Sequence, residues 1–356
     1  MAQTTAAADT RDTEAAPRDP TPAGAAPRVG TTLSFADTLG RWKARWGIGR
    51  MRYEVEPGLY AVGDPTPESP MLVSANYKMS FDHLRSQLGG LDAWILVLDT
   101  RGINVWCAAG KGTFGTDELV QRIESTRLAD IVSHRKLVVP QLGAPGVSAH
   151  EVQRQSGFRV VYGPVRAEDI PAFLTAGMKA TPEMRRVHFT LRDRVALIPI
   201  ELVMSAKYLV AAAVVLLLLS GLWRGGYAPE RIATVGIWHV LLLLGAYLAG
   251  AALAPVLLPW VPGRAFSVKG AWTGLAIFLG VAAYAHTRPE VFGNWAGGAA
   301  WLLMAPAVAS FMAMNFTGAS TYTSLSGVRQ EMSIAVPAQI VFAVAGLGLW
   351  VVGRFV

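Results

Sequence analysis

The sequence predicts an α/β domain with an open, mostly parallel, Rossmann-like sheet, followed by an α-helical transmembrane bundle of about five spans. Three observations predict it. Of the 32 Lys and Arg and the 25 Asp and Glu in 356 residues, 24 and 21 lie at or before Ile200. The rest of the chain holds 8 basic and 4 acidic groups, too few to cover a water-facing surface, so that half faces lipid. Strand and helix patterns alternate with short connections between about residues 55 and 180, as in an open sheet with helices on both faces. Five apolar segments long enough to cross a bilayer then follow.

The elements run in this order. Residues 1–34, rich in Ala, Thr, Pro and Asp, read as a disordered tail without an apolar leader segment. Residues 35–54 form a candidate interfacial helix. Trp42 and Trp46 share one helical face among Arg41, Lys43, Arg45, Arg50 and Arg52, which suits a membrane surface as well as it suits packing on the next domain. Leu59–Val62 and Met71–Ala75 are short strands, and Ser80 caps a helix reaching Leu88 before Gly89-Gly90. Trp94–Asp99 is a continuous apolar run of the kind buried on both faces of a parallel sheet. Thr116 caps a helix from Asp117 to Leu128, with acidic residues in its first turn. Lys136–Val139 is a strand, Ser148 and Glu151 make a capping box for a helix stopping at Gly157, Arg159–Tyr162 is a strand, and a helix follows near Asp169–Ala176. The domain is therefore 55–180, joined by a linker at 181–201 to a membrane domain at 202–356.

The predicted spans are Leu202–Leu222, Ile232–Ala254, Ala271–Ala285, Ala296–Met314 and Ile334–Val352. Arg185, Arg186, Arg192, Arg194, Lys207, Arg264, Lys269 and Arg329 fall on one side, and Arg224, Arg231, Arg288 and Arg354 on the other. Eight against four predicts a multi-pass protein of the cytoplasmic (inner) membrane with the α/β domain on the cytoplasmic side.

Composition excludes several classes. The net charge of +7 is scattered, with no Lys/Arg run or interleaved aromatic platform, so a nucleic-acid partner is not expected. With one cysteine, Cys107, the chain makes no internal disulfide, no structural zinc site and no iron–sulfur cluster of its own. Redox chemistry here would draw electrons from a partner.

The informative stretch follows the buried strand: Asn104, Val105, Trp106, Cys107, Ala108, Ala109, Gly110 and Lys111, then Gly112-Thr113-Phe114. It lies past the C-terminal end of a parallel strand, the edge at which open α/β sheets bind ligands. Its small residues admit a bulky flat ligand close to the backbone, and Cys107 is the chain's one soft ligand for a polarisable transition metal. Trp106 and Phe114 serve as core residues or as cofactor walls. Asn104 and Lys111 either cap and solvate a helix or touch a ligand's polar rim.

This string, NVWCAAGKGTF, resembles the cap-helix signature of the corrinoid proteins of microbial mercury methylation (the HgcA family). A related stretch without the cysteine occurs in the corrinoid domain of the corrinoid iron–sulfur protein large subunit. The strand and turn Leu72–Lys78, with Ser74 and Asn76, resembles the same superfamily, as does the order of α/β domain and five spans. The resemblance implies a corrinoid-binding domain at 55–180 and a cobalamin-type corrinoid held base-off with cobalt–thiolate ligation. Cys107 would be the lower axial metal ligand and the catalytic residue. Ser74, Asn76 and residues 104–111 would form the cofactor site.

The implied function is a corrinoid-dependent methyltransferase passing a cobalt-bound methyl group to Hg(II). Its implied partners are a small ferredoxin with two four-iron clusters, a methylated folate acting directly or through a methyltransferase, and the lipid bilayer. A strong anionic donor trans to the methyl group favours transfer to an electrophile. The alternative is a membrane-anchored methyl carrier of one-carbon, acetyl-CoA pathway-like metabolism with a different acceptor. A transporter or sensor is a third class, disfavoured by the lack of an inverted repeat and by the few intramembrane charges.

Two features stay open. Asn315–Ser324 is dense in hydroxyl and small residues and reads as a polar loop with close helix packing, or as a cavity or contact surface. His239, His286, Glu201 and Lys207 read as interfacial anchors near span ends, or as an ion path.

Overall fold

The computed structural model describes residues 26–317 and 325–355. The residues up to Thr38 with Met51–Arg186 make one compact unit, and Leu39–Arg50 with Val187–Val356 make the other.

The first unit is a five-stranded sheet: β1 (Gly58–Val62), β2 (Met71–Ala75), β3 (Ala93–Leu98), β4 (Lys136–Val139) and β5 (Arg159–Tyr162), in the order β1-β3-β2-β4-β5. β2 pairs with β3 and β4 in parallel, and β4 with β5, while β1 runs antiparallel against β3 at the edge. The sheet is thus mostly parallel, as expected, with one edge strand reversed.

Every residue of β3 is buried, because both faces are covered. On one face Val73, Ala75, Leu96, Leu98 and Leu137 meet α3 (Val105–Lys111), α4 (Thr116–Ser125), α5 (Leu128–Ile131) and α6 (Ala149–Ser156). On the other, Leu72, Ile95, Val97 and Val138 meet α2 (Lys78–Arg85) and α7 (Ile170–Thr175).

Several expectations are corrected. Residues 1–25 of the predicted tail lie outside the described residues, but residues 27–29 run beside β1: Val29 N–H donates to Ala61 O and Ala61 N–H to Pro27 O. The exposed backbone of an edge strand recruits them. The helix assigned to Ser80 begins at Lys78 with Tyr77 as its cap, because the chain turns directly off the end of β2. Thr116 lies inside its helix, whose cap is Gly115. Its hydroxyl instead accepts the Ser148 N–H at 2.9 Å. Ser148 does cap α6, but no side-chain capping bond forms. Ser148 Oγ lies 3.1 Å from His150 Nδ1, and Glu151 is drawn to Arg154 and Gln155.

An ion-pair staple ties α1 (Phe35–Arg45) to α2. Asp37 pairs with Lys78 at 2.7 Å and with Arg85 at 2.8 Å, and Asp82, fully buried, pairs with both of those cations at 2.8 Å. Burial alone would raise the Asp37 carboxyl. Hydrogen bonds from Lys78, Ser34 and Arg85 outweigh it and hold the group well below the usual carboxylate range.

In the second unit, five helices among the described residues are long and apolar enough to cross a membrane: Leu191–Ser220, Ile232–Val256, Phe266–Ala285, Trp295–Met314 and Gly327–Val352, called spans one to five below. The predicted linker gives way to a capping box, Thr190 with Asp193, that opens a short helix at Leu191–Val195. Span three starts five residues earlier than predicted. Lys269, which interrupts its apolar run, hydrogen-bonds the carbonyls of Leu258 and Val261 after span two. Gly274 lets spans three and four meet closely, since a Cβ there would fall 2.6 Å from Ala305 O. His239 is no interfacial anchor. It is fully buried, with Trp301 Nε1 2.8 Å from its Nδ1 and Trp350 Nε1 and Arg354 Nη2 3.1 Å from its Nε2. His286 and Lys207 are exposed. Of the hydroxyl-rich stretch, Asn315–Thr317 close span four, and residues 318–324 lie outside the described residues.

Candidate functional site at the C-terminal edge of the sheet

The site is built where β2 and β3 end. Asn76 N–H donates to Leu98 O at 3.0 Å, joining the two strand ends. Its buried side-chain oxygen then accepts from Thr100 N (3.1 Å), Thr100 Oγ1 (2.8 Å) and Gly102 N (3.0 Å). Asp99 closes the turn by accepting from Arg101 N at 2.9 Å, and Glu118 of α4 accepts the Asp99 N–H at 2.7 Å. Arg101 and Gly102 both take positive φ, 56° and 66°. These bonds hold the non-glycine residue in that left-handed conformation. One carboxamide thus fixes the turn that launches α3.

Asn104 caps α3, with its side chain accepting from Cys107 N at 2.9 Å. At the other end Gly112 adopts φ 82°, and Thr113 N–H bonds to Ala108 O at 3.0 Å. The helix is sided. Ala108 and Ala109 are buried in the core, pressed against the loop after β4, where any side chain at Gly146 would collide with Phe114 O and the Ala109 backbone. Cys107, Gly110 and Lys111 are exposed on the outer side, as spacings of three and four dictate. A Cβ at Gly110 or Gly112 would meet nothing within 4 Å, so the helix presents a thiol beside open space. Val105 and Trp106 are half-buried.

The predicted residues divide. Residues 104–111 form one element, and Asn76 acts on it through the turn. Ser74 is buried on the strand face shared with Leu72, opposite the face that carries α3, and its hydroxyl bonds to the neighbouring Ala75 O at 3.3 Å. Phe114 is fully buried core rather than an exposed wall.

Two parts of this edge were missed from the sequence. One is the Gly143–Gly146 loop under α3, which the rule placing ligands at strand C-termini would have flagged after β4. The other is a cavity of about 490 Å³ lined by Glu54, Glu56, Asn76, Asp99 and Arg101 among others. Its acidic residues come from two distant segments, and no local pattern joins them.

Residues 49–174 match the family described as "CO dehydrogenase/acetyl-CoA synthase delta subunit". The chain is also similar to the gamma subunits of the acetyl-CoA decarbonylase/synthase complex. That of Archaeoglobus fulgidus is 34% identical over 127 residues, 35% of this chain and 27% of the relative. That of Methanopyrus kandleri is 36% identical over 123 residues, 34% and 26%. That of Methanocaldococcus jannaschii is 30% identical over 122 residues, 34% and 25%. The chain spans about a quarter of the length of these relatives. The family match holds β1 to β5 and α3, and ends before span one.

Proposed function

We propose that this chain is a membrane-anchored corrinoid protein that carries a methyl group for one-carbon metabolism, with residues 55–180 holding a base-off corrinoid and Cys107 as its lower axial ligand. The observation that carries the reading is the isolation of Cys107. Among the described residues no group of three or more His, Cys, Asp or Glu converges to hold a metal, yet one thiol projects from a capped helix beside open space. A single protein donor suits a metal whose remaining positions are filled by a macrocycle.

The corrinoid, when bound, supplies the cobalt that accepts and releases the methyl group. The chain supplies the rest. Asn104 fixes the first turn of α3 and with it the thiol. Ala108 and Ala109 seat the helix on the sheet, so that a ligand pressing on Cys107 meets a rigid floor. Gly110 and Gly112 leave room for a flat ring, and the exposed Lys111 ammonium is placed to pair with polar groups at its rim. Asn76 acts at one remove, by holding the turn before α3.

Similarity to subunits named for acetyl-CoA decarbonylase/synthase favours one-carbon transfer, with a methylated folate as the donor class and complex subunits as partners. A second reading, methyl transfer to Hg(II) with re-reduction by a ferredoxin carrying two four-iron clusters, is favoured by one observation, the exposed thiol within the NVWCAAGK string. Were Cys107 to ligate the cobalt of a bound corrinoid, its thiolate would supply the electron density that transfer to an electrophilic acceptor requires. The net basic side of the spans favours a cytoplasmic α/β unit in both readings.

The test loads the full chain in detergent with hydroxocobalamin, records its absorption spectrum, and repeats this with Cys107→Ala. Binding by both, with a thiolate-ligated spectrum only in the wild type, is the expected result. Identical spectra would remove Cys107 from the cobalt. Methyl-loaded protein is then offered Hg(II)-thiolate. Methylmercury detected by mass spectrometry moves the second reading ahead, and its absence leaves the carrier.

A further inference from the structure

Spans three, four and five enclose a cavity of about 600 Å³ that the methyl-transfer reading does not use. Its lining is almost wholly aliphatic and aromatic, and Val268, Leu302, Ile334 and Phe342 are among its exposed residues, so its mouth opens on the outer surface of the bundle.

Gln339, Ser310, Ser267 and Glu331 interrupt the apolar wall. Gln339 is buried, its Nε2 donates to Ser310 Oγ at 2.7 Å, and its Oε1 has no partner among the described residues. Pro306 also lines the cavity, inside span four. Glu331 closes one end, accepting Ser267 N–H at 2.7 Å. The cavity therefore holds acceptors in surplus. A plain acyl chain would leave the Gln339 carboxamide oxygen dry and unpaired, which is costly. A phosphate headgroup would meet the Glu331 carboxylate with no cation among the described lining residues.

We propose that this cavity binds a neutral, bilayer-soluble molecule with a hydroxyl on an apolar body, an alcohol or phenol in class. The hydroxyl hydrogen-bonds the Gln339 carboxamide while the body fills the groove between spans four and five. A hydroxyl fits because its single O–H donates to the free Gln339 Oε1, while its oxygen can accept in turn.

The full chain in phosphatidylcholine nanodiscs is photolabelled with a diazirine-bearing hexadecanol or with its methyl ether, and adducts are mapped by mass spectrometry. The alcohol is expected to label peptides spanning 302–310 and 331–342 about 3- to 10-fold more than the ether, the range of one intramembrane hydrogen bond. In Gln339→Met that preference falls to about one. Equal labelling of the wild type by both probes, or a preference that survives Gln339→Met, overturns the proposal. The wild-type ratio decides alone if the variant does not fold.

Discussion

The two units use buried polar groups in opposite ways. In the α/β unit Asn76 and Thr100 complete one network, Asp82 and Arg85 another, and both fix where backbone elements begin. In the helical unit, His239 and Gln339 sit between helices that small residues such as Gly250 and Gly346 let approach closely. Water lets the first unit choose polar groups freely for positioning. The apolar interior and surface of the second make each one costly there, so a buried amide with a free oxygen stands out. The Cys107 thiol follows neither pattern, since it is exposed and joins no side-chain network among the described residues. Site and scaffold are separate residues in the α/β unit, and substitutions should split along that line.

The largest effect is expected at the staple. Arg85→Ala removes one of two cations from the fully buried Asp82 and should destabilise the α/β unit by about 3–5 kcal/mol. Hydrogen exchange in peptides covering α2 and β1 would rise accordingly, and a change below about 1 kcal/mol would mean that Lys78 alone satisfies the carboxylate. The same staple gives a pH dependence. Because the folded Asp37 carboxyl lies below its unfolded value of 3.8, its contribution is complete above about pH 4 and is lost as pH falls further. Acid should therefore release α1 from α2 first, visible as exchange in residues 34–45, and Asp37→Asn should abolish that step.

Next comes the helical unit. Gly274→Val places a methyl-bearing carbon against the Ala305 backbone and should cost about 1–3 kcal/mol, read as a lower SDS midpoint with peptides of the α/β unit unchanged. If those peptides also loosen, the two units are not energetically separate.

How much of this was legible follows from where the signal sits. β2, β4 and β5 match their predicted bounds because an apolar strand between turn residues is a local pattern. The small residues Ala108, Ala109, Gly110 and Gly112 read as room for a flat ligand, but Ala108 and Ala109 pack into the core, and only Gly110 and Gly112 face open space. What escaped was non-local. The reversal of β1, the work of Asn76, and the approach of Gly146 to α3 depend on residues 20 to 40 positions away. Ser80 and the Ser148–Glu151 pair look like caps in isolation, but stronger competitors, a strand end and the Arg154 and Gln155 side chains, decide the outcome. Lys269 misled for the same reason, since its carbonyl partners lie 8 and 11 residues back.

A smaller effect is expected at the cap. Asn104→Ala removes the acceptor for Cys107 N–H and should cost about 1 kcal/mol, confined to faster exchange in residues 105–111. Asn104→Asp should restore most of it, since an aspartate accepts the same bond.

The smallest effect on stability is expected at the residue with the largest proposed role. Cys107 is exposed, and α3 is held by Asn104 at one end, Gly112 at the other and Ala108–Ala109 beneath, so Cys107→Ala should shift stability by no more than about 0.5 kcal/mol. A thiol that contributes nothing to the fold, on a helix fixed by every neighbour, is the arrangement expected of a ligand whose partner comes from outside the chain. A loss of several kcal/mol in Cys107→Ala would instead make the thiol part of the scaffold, and the separation of site from scaffold would fail at the point where it matters most.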